Sequence, residues 1–152
     1  MLEIRRDDPT APYVADLLNY HLQELRGVMA EHAFALDASG LSHDSVTFWT
    51  AWNADKLAGF GALKALDATH GEVKSMRAAP AALGTGVGRA LLEHVIAEAR
   101  LRGYARLSLE TGTADLHAPA IALYRRSGFV SCDAFAGYHP SPHNQFMRLE
   151  LR

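Results

Sequence analysis

Apolar and polar positions along the chain switch between two periods. Over "PYVADLLNYHLQELRGVM" (12–29), Val14, Leu17, Leu18, His21, Leu25 and Met29 recur at helical spacing, so a first long helix is predicted there. "LEIRR" (2–6) precedes it as a short strand. "AEHAFALDASGLSHDS" (30–45) is mixed and reads as a second short helix with a loop. "VTFWTAWN" (46–53) is rich in β-branched and aromatic residues and predicts a strand. "ADK" turns, and "LAGFGALKAL" (57–66) returns as its hairpin partner. Gly59 and Gly61 within it suit a bulge or a close backbone approach. "EVKSMRA" (72–78) is a further strand.

A second helix pattern follows within "APAALGTGVGRALLEHVIAEAR" (79–100) and ends near "RLRGY", with Gly103 placed to close it. "ARLSLET" (105–111) reads as a strand. "APAIALYRRSG" (118–128) is a short helix with Pro119 in its first turn. "FVSCDAF" (129–135) and "NQFMRLEL" (144–151) form a closing antiparallel pair. The connection from "EVKSMRA" to "ARLSLET" has the form of a right-handed parallel crossover, and the remaining links are mostly hairpins. The expected class is α/β (α+β), a mixed sheet flanked by helices.

At 152 residues the chain suits a single domain, 1–152. Hydrophobic residues make up 49% and charged residues 21%, with a net charge of −2 and a pI of about 6.4. No basic face is implied, so nucleic acid is not an expected partner. Cys132 is the single cysteine, which excludes an intrachain disulfide and fits a cytoplasmic setting. The start "MLEIRRDDPT" has no apolar signal core, and no stretch reaches membrane-span length, so no membrane partner is expected. The eight histidines are scattered without ligand spacing, and no metal is expected.

The chemistry concentrates in Gly84-Thr85-Gly86-Val87-Gly88-Arg89. Glycine costs a helix about 1 kcal/mol per interior position, so three of them at a helix start ask for a reason. The first N–H groups of a helix lack internal partners, and its N-terminus favours negative charge. Glycines let such amides close around an anion, ideally a diphosphate. Thr85 adds a hydroxyl and Arg89 a positive charge. A P-loop is excluded because no Gly-Lys-Ser/Thr occurs. A Rossmann-like nucleotide binder is the weaker reading, since Arg89 stands where the third glycine belongs and "RAAPAAL" separates strand from glycines.

The run "EVKSMRAAPAALGTGVGRALLEHVIAEAR" resembles the acetyl-CoA motif of the GNAT N-acetyltransferases, and "RLSLETGTADLHAPAIALYRRSGF" is similar to that family's second segment. Further likenesses to a small bacterial branch lie at Phe48-Trp49, Gly61 to Lys64, Phe135, Tyr138 and Phe146-Met147. The resemblance implies a mostly antiparallel twisted sheet of about seven strands. A central parallel pair would be splayed apart, with about four helices around the sheet. It also implies acetyl transfer from acetyl-CoA to a primary amine of a small molecule or peptide, by a monomer or homodimer. The glycine loop from Gly84 to Arg89 would hold the diphosphate, and the backbone at Met76 and Arg77 would pair with pantetheine. Leu83 replaces the family's usual Gln or Arg. His117 replaces a frequent Asn and remains a candidate cofactor contact. Tyr124 takes the position of the acid that meets the departing sulfur. Glu72 and Glu110, on the two strands beside the gap, are both candidates for the base. A CoA-binding sensor or accessory module without transfer is the alternative of a different class.

Overall fold

A computed structural model describes residues 2–29 and 37–152, with side chains for 2–25 and 37–152. His32 and the 30–36 part of the mixed segment lie outside the described residues. The strands are β1 (Leu2–Arg6), β2 (Val46–Asn53), β3 (Lys56–Ala65), β4 (His70–Ala78), β5 (Arg106–Gly112), β6 (Val130–Cys132) and β7 (Asn144–Glu150). The helices are α1 (Pro12–Met29), α2 (Ala38–Leu41), α3 (Val87–Leu101) and α4 (Ala118–Arg126). The sheet runs β1-β2-β3-β4-β5-β7-β6. Only β4 and β5 are parallel, which rules out the parallel sheet that a Rossmann-like binder needs.

Side chains alternate across β3 and so sort the two faces. Phe60 and Ala62 join Val14, Leu17, Leu18 and Leu22 of α1 in one apolar cluster. Leu63 turns the other way, into a cluster with Val73 and with Leu92, Val95 and Ala99 of α3. Leu92, Val95 and Ala99 are fully buried, each large side chain contributing roughly 1.5–3 kcal/mol. Gly59 and Gly61 face α3. A Cβ on Gly59 would lie 2.6 Å from the Arg77 carbonyl and 3.0 Å from Val87, so glycine is required for the helix to sit so close.

Two features place the site. First, β4 pairs with β5 only through His70↔Arg106, Gly71↔Leu107 and Glu72↔Ser108. Beyond that, β4 stays with β3 up to Ala78 and β5 stays with β7 up to Gly112, so a gap opens between the two parallel strands. Second, β4 carries a bulge. Ala62 faces Lys74 and Phe60 faces Arg77, leaving Ser75 and Met76 opposite Gly61, with Ser75 at φ +50°. Strict alternation would set Met76 on the face of Lys74. The bulge instead sets Met76 with Val73 on the α3 face, and Arg77 with Lys74 on the α1 face.

At the ends of elements the sequence signals act as expected. Gly103 closes α3 at φ +78°, with the Tyr104 N–H bonded to the Ala99 carbonyl. The strand expected over 129–135 is shorter: only Val130–Cys132 pairs with β7, and residues after Cys132 leave the sheet edge towards Tyr138.

Candidate active site

The gap is the mouth of a cavity of about 1360 Å3 that runs from the start of α3, between β4 and β5, to α1. One drug-sized ligand commonly occupies 300–1,000 Å3, so this volume accommodates a large ligand and a second molecule beside it.

At one end lies the glycine loop. Gly84 and Gly86 adopt φ +77° and +88°, in the left-handed region that favours glycine. A Cβ at either would meet nothing within 4 Å, so conformation and not protein crowding demands glycine there. The first helical bond of α3 runs from the Ala90 N–H to the Gly86 carbonyl. The N–H groups of Gly84, Gly86, Val87, Gly88 and Arg89 reach no backbone acceptor among the described residues. Thr85 differs: its N–H and its hydroxyl both donate to the Ala82 carbonyl, at 3.2 and 2.5 Å, so its side chain serves the loop's shape. Arg89 pairs with Glu93 at 2.9 Å on the exposed side of α3, and Leu83 stands exposed at the rim.

In the middle lie Met76 and Tyr124. Met76 packs its sulfur towards Gly61, leaving its main chain at the bulge beside the gap. Tyr124 rises from α4 against Phe129, with ring centroids 5.9 Å apart. Burial pushes its phenol up to about 12. Its hydroxyl makes no hydrogen bond to a described residue, and the ring lines the cavity.

On the α1 face of the sheet the two candidate bases differ. Glu72 is 2% exposed and does not line the cavity. It accepts a hydrogen bond from the Tyr138 hydroxyl at 2.6 Å and lies 3.4 Å from Lys74, whose ammonium donates to the same hydroxyl at 2.7 Å. Burial and the Glu72 charge push the Tyr138 phenol up, so it stays protonated. Glu110 lines the cavity past the last parallel rung, and its Oε2 has no partner. Burial pushes its carboxyl up to about 7; the nearby Lys74 ammonium opposes that and the Glu72 carboxylate adds to it. A carboxyl poised near neutrality at a cavity wall has the properties of a general base.

At the far end, Arg77 donates from Nε to His21 Nδ1 at 2.9 Å and from Nη1 to Glu24 at 3.1 Å. His117, in the 3-10 turn Asp115–His117, is buried on the opposite wall with its Nε2 unpartnered. Burial, then the Arg77 charge, holds its pKa down. His21, Glu24 and Lys74 escape prediction from sequence because their partners come from distant elements. Phe48 and Trp49 do not line the cavity: both are core residues, Trp49 packing edge-on against His94.

The model of the Acetyltransferase (GNAT) family matches residues 3–129. The chain belongs to the GNAT acetyltransferase family. It is 44% identical over 151 residues to the uncharacterized N-acetyltransferase YsnE of Bacillus subtilis (strain 168), covering 99% of this chain and 100% of that protein. A solved Klebsiella pneumoniae structure, provisionally assigned as an acyl-CoA N-acyltransferase, superimposes with a TM-score of 0.81 at 29% identity, over 100% of this chain and 99% of that one. A Bacillus subtilis acetyltransferase solved in complex with CoA shares the fold at a TM-score of 0.70 and 20% identity, over the whole of both chains. The splayed parallel pair and the glycine loop are thus read within a family of acyltransferases. Among the described residues no group of His, Cys, Asp and Glu could hold a metal ion, and no helix is long and apolar enough to cross a membrane.

Proposed function

We propose that residues 1–152 act as one acetyltransferase domain that moves the acetyl group of acetyl-CoA to a primary amine of a small molecule or peptide. The observation that carries this is the β4–β5 gap. It leads from a cluster of unused main-chain amides to a carboxyl of near-neutral pKa. The amides of Gly84, Gly86, Val87, Gly88 and Arg89 hold the diphosphate, and Thr85 shapes the loop. Pantetheine lies in the gap, pairing with the backbone at Met76 and Arg77 as an added strand would, with His117 on the facing wall.

The acceptor amine arrives as an ammonium and must lose a proton before it can attack. Glu110 takes that proton, directly or through water, and its pKa near 7 suits the task at neutral pH. The amine nitrogen then bonds to the acetyl carbon, the C–S bond breaks, and the proton shed by the new amide ends on sulfur. Tyr124 meets the departing sulfur with a hydrogen bond. A phenol near 12 facing a thiol of ordinary pKa about 8.5 makes complete proton transfer uphill by about 5 kcal/mol, so hydrogen bonding is its role. Glu72, enclosed by Lys74 and Tyr138, supports the wall and does not act as the base.

The test is a thiol-release assay with acetyl-CoA and a panel of amines, beside thermal unfolding with acetyl-CoA. Acetyl-CoA at 100 times its Kd is expected to stabilise by about 2.7 kcal/mol, and at least one amine is expected to release CoA. Stabilisation without release from any amine would favour the sensor reading; no stabilisation would reject both.

A further inference from the structure

The cavity wall formed by α1 carries a group that the transfer just described does not use. His21 is 5% exposed, at the position where α1's stripe otherwise presents Leu17, Leu18 and Leu22. Arg77 can only donate, so its contact makes His21 Nδ1 an acceptor. Burial, reinforced by the Arg77 charge, lowers the imidazole to about pKa 3 and keeps it neutral. A neutral ring that accepts at Nδ1 carries its proton on Nε2. That N–H is buried, and it meets no partner among the described residues. A buried donor left unmet costs about 1–3 kcal/mol, which a leucine at this position would avoid.

The surroundings narrow the ligand. Glu24 already matches the Arg77 charge at 3.1 Å, so the subsite presents a fixed, uncharged N–H. It therefore suits an oxygen acceptor and offers nothing to a second cation. Lys74 and Arg77 share the α1 face of β4, and Glu110 lies on the same face of β5 through the Glu72↔Ser108 pairing. His21 and Glu110 both line the cavity, so an acceptor that reaches both would present its amine to Glu110 and an oxygen to His21.

Building on the acetyltransferase reading, we propose that His21 Nε2–H binds a carbonyl or carboxylate oxygen of the acceptor. The enzyme then prefers amines bearing a nearby carbonyl, such as amino acids, their amides and peptide N-termini, over plain alkylamines.

The experiment measures kcat/KM for glycinamide and propylamine with the wild type, His21→Phe and His21→Gln. The glycinamide-to-propylamine ratio is expected to fall about 5–150-fold in His21→Phe, the equivalent of the unmet donor. Amine basicity cancels, because the same two amines are used throughout. His21→Gln keeps an acceptor for Arg77 and a donor for the ligand, and is expected to restore most of the ratio. An unchanged ratio in His21→Phe overturns the proposal. So does an equal loss for both amines with a raised acetyl-CoA KM, which would assign the donor to a pantetheine carbonyl. Thiol release with an unaltered ratio defeats this inference alone; no release with any amine defeats the transferase reading as well. If His21→Phe does not fold, product inhibition of the wild type decides: N-acetylglycinamide is expected to bind more tightly than N-propylacetamide, and equal binding overturns the proposal.

Discussion

Glu72 on β4 and Glu110 on β5 point from the same face of the sheet, across the only parallel pairing among the described strands, yet their surroundings are opposite. Glu72 sits on the last rung, opposite Ser108, and is closed in by Lys74 and Tyr138. Glu110 lies two residues beyond that rung, where β4 has already turned away; the residue lines the cavity, and its buried Oε2 has no hydrogen-bond partner among the described residues. In the proposed mechanism, the place where the strands part decides which carboxylate is structural and which is the base. A buried charge that is paired and hydrogen-bonded holds the wall together, whereas a desolvated one without a full set of partners keeps a pKa useful for proton transfer.

The largest way to break this contrast is to remove the carboxylate proposed as the base. Glu110→Gln is expected to lower turnover by about 10²–10⁴-fold with acetyl-CoA affinity retained, read by steady-state kinetics and ligand-induced thermal shift. A tenfold or smaller loss would move the base elsewhere. Glu72→Gln is expected to act on stability first. It breaks the buried ion pair that Glu72 makes with Lys74 at 3.4 Å, at a cost of roughly 3–5 kcal/mol, measurable by urea unfolding. An unaffected unfolding midpoint would show that the Glu72, Lys74 and Tyr138 cluster does not hold the wall.

A smaller effect sharpens the same comparison. The folded-state pKa of Glu110 is raised to about 7, above its ordinary carboxylate value. The folded protein therefore holds a proton that the unfolded chain has released, and stability falls as pH rises through that window. Below the ordinary value both states are protonated and nothing is lost; above about 7 the penalty is complete. Glu110→Gln is thus expected to melt higher than the wild type at pH 8, with the gain shrinking towards pH 5. A gain that grows towards low pH would contradict the raised pKa.

Much of the frame was legible in the chain because it rests on local signals. The α1 stripe, the β-branched run of β2 and the glycine that ends α3 each carry their own period or φ requirement. The glycine loop was legible for the same reason, and Gly84 and Gly86 both take the left-handed φ that favours glycine. What remained hidden depends on residues distant in sequence. Nothing around Glu72 or Glu110 distinguishes the two, because Tyr138 and Lys74 close on Glu72 from a loop 66 residues away and from the next outward position of β4. The bulge at Ser75 shifts Arg77 onto the face of Lys74 with no proline or glycine between Glu72 and Ala78 to signal it. His21 fits an apolar helical stripe by spacing, and only Arg77 reveals it as a directed donor.

The most direct test is the pH dependence of kcat/KM for one amine, compared between the wild type and Glu110→Gln. The wild type is expected to lose activity below about pH 7 as Glu110 takes up its proton, and that limb is expected to vanish in Glu110→Gln, leaving only the ionisation of the amine itself. The same acidic limb in both proteins would contradict the assignment of Glu110 as the base.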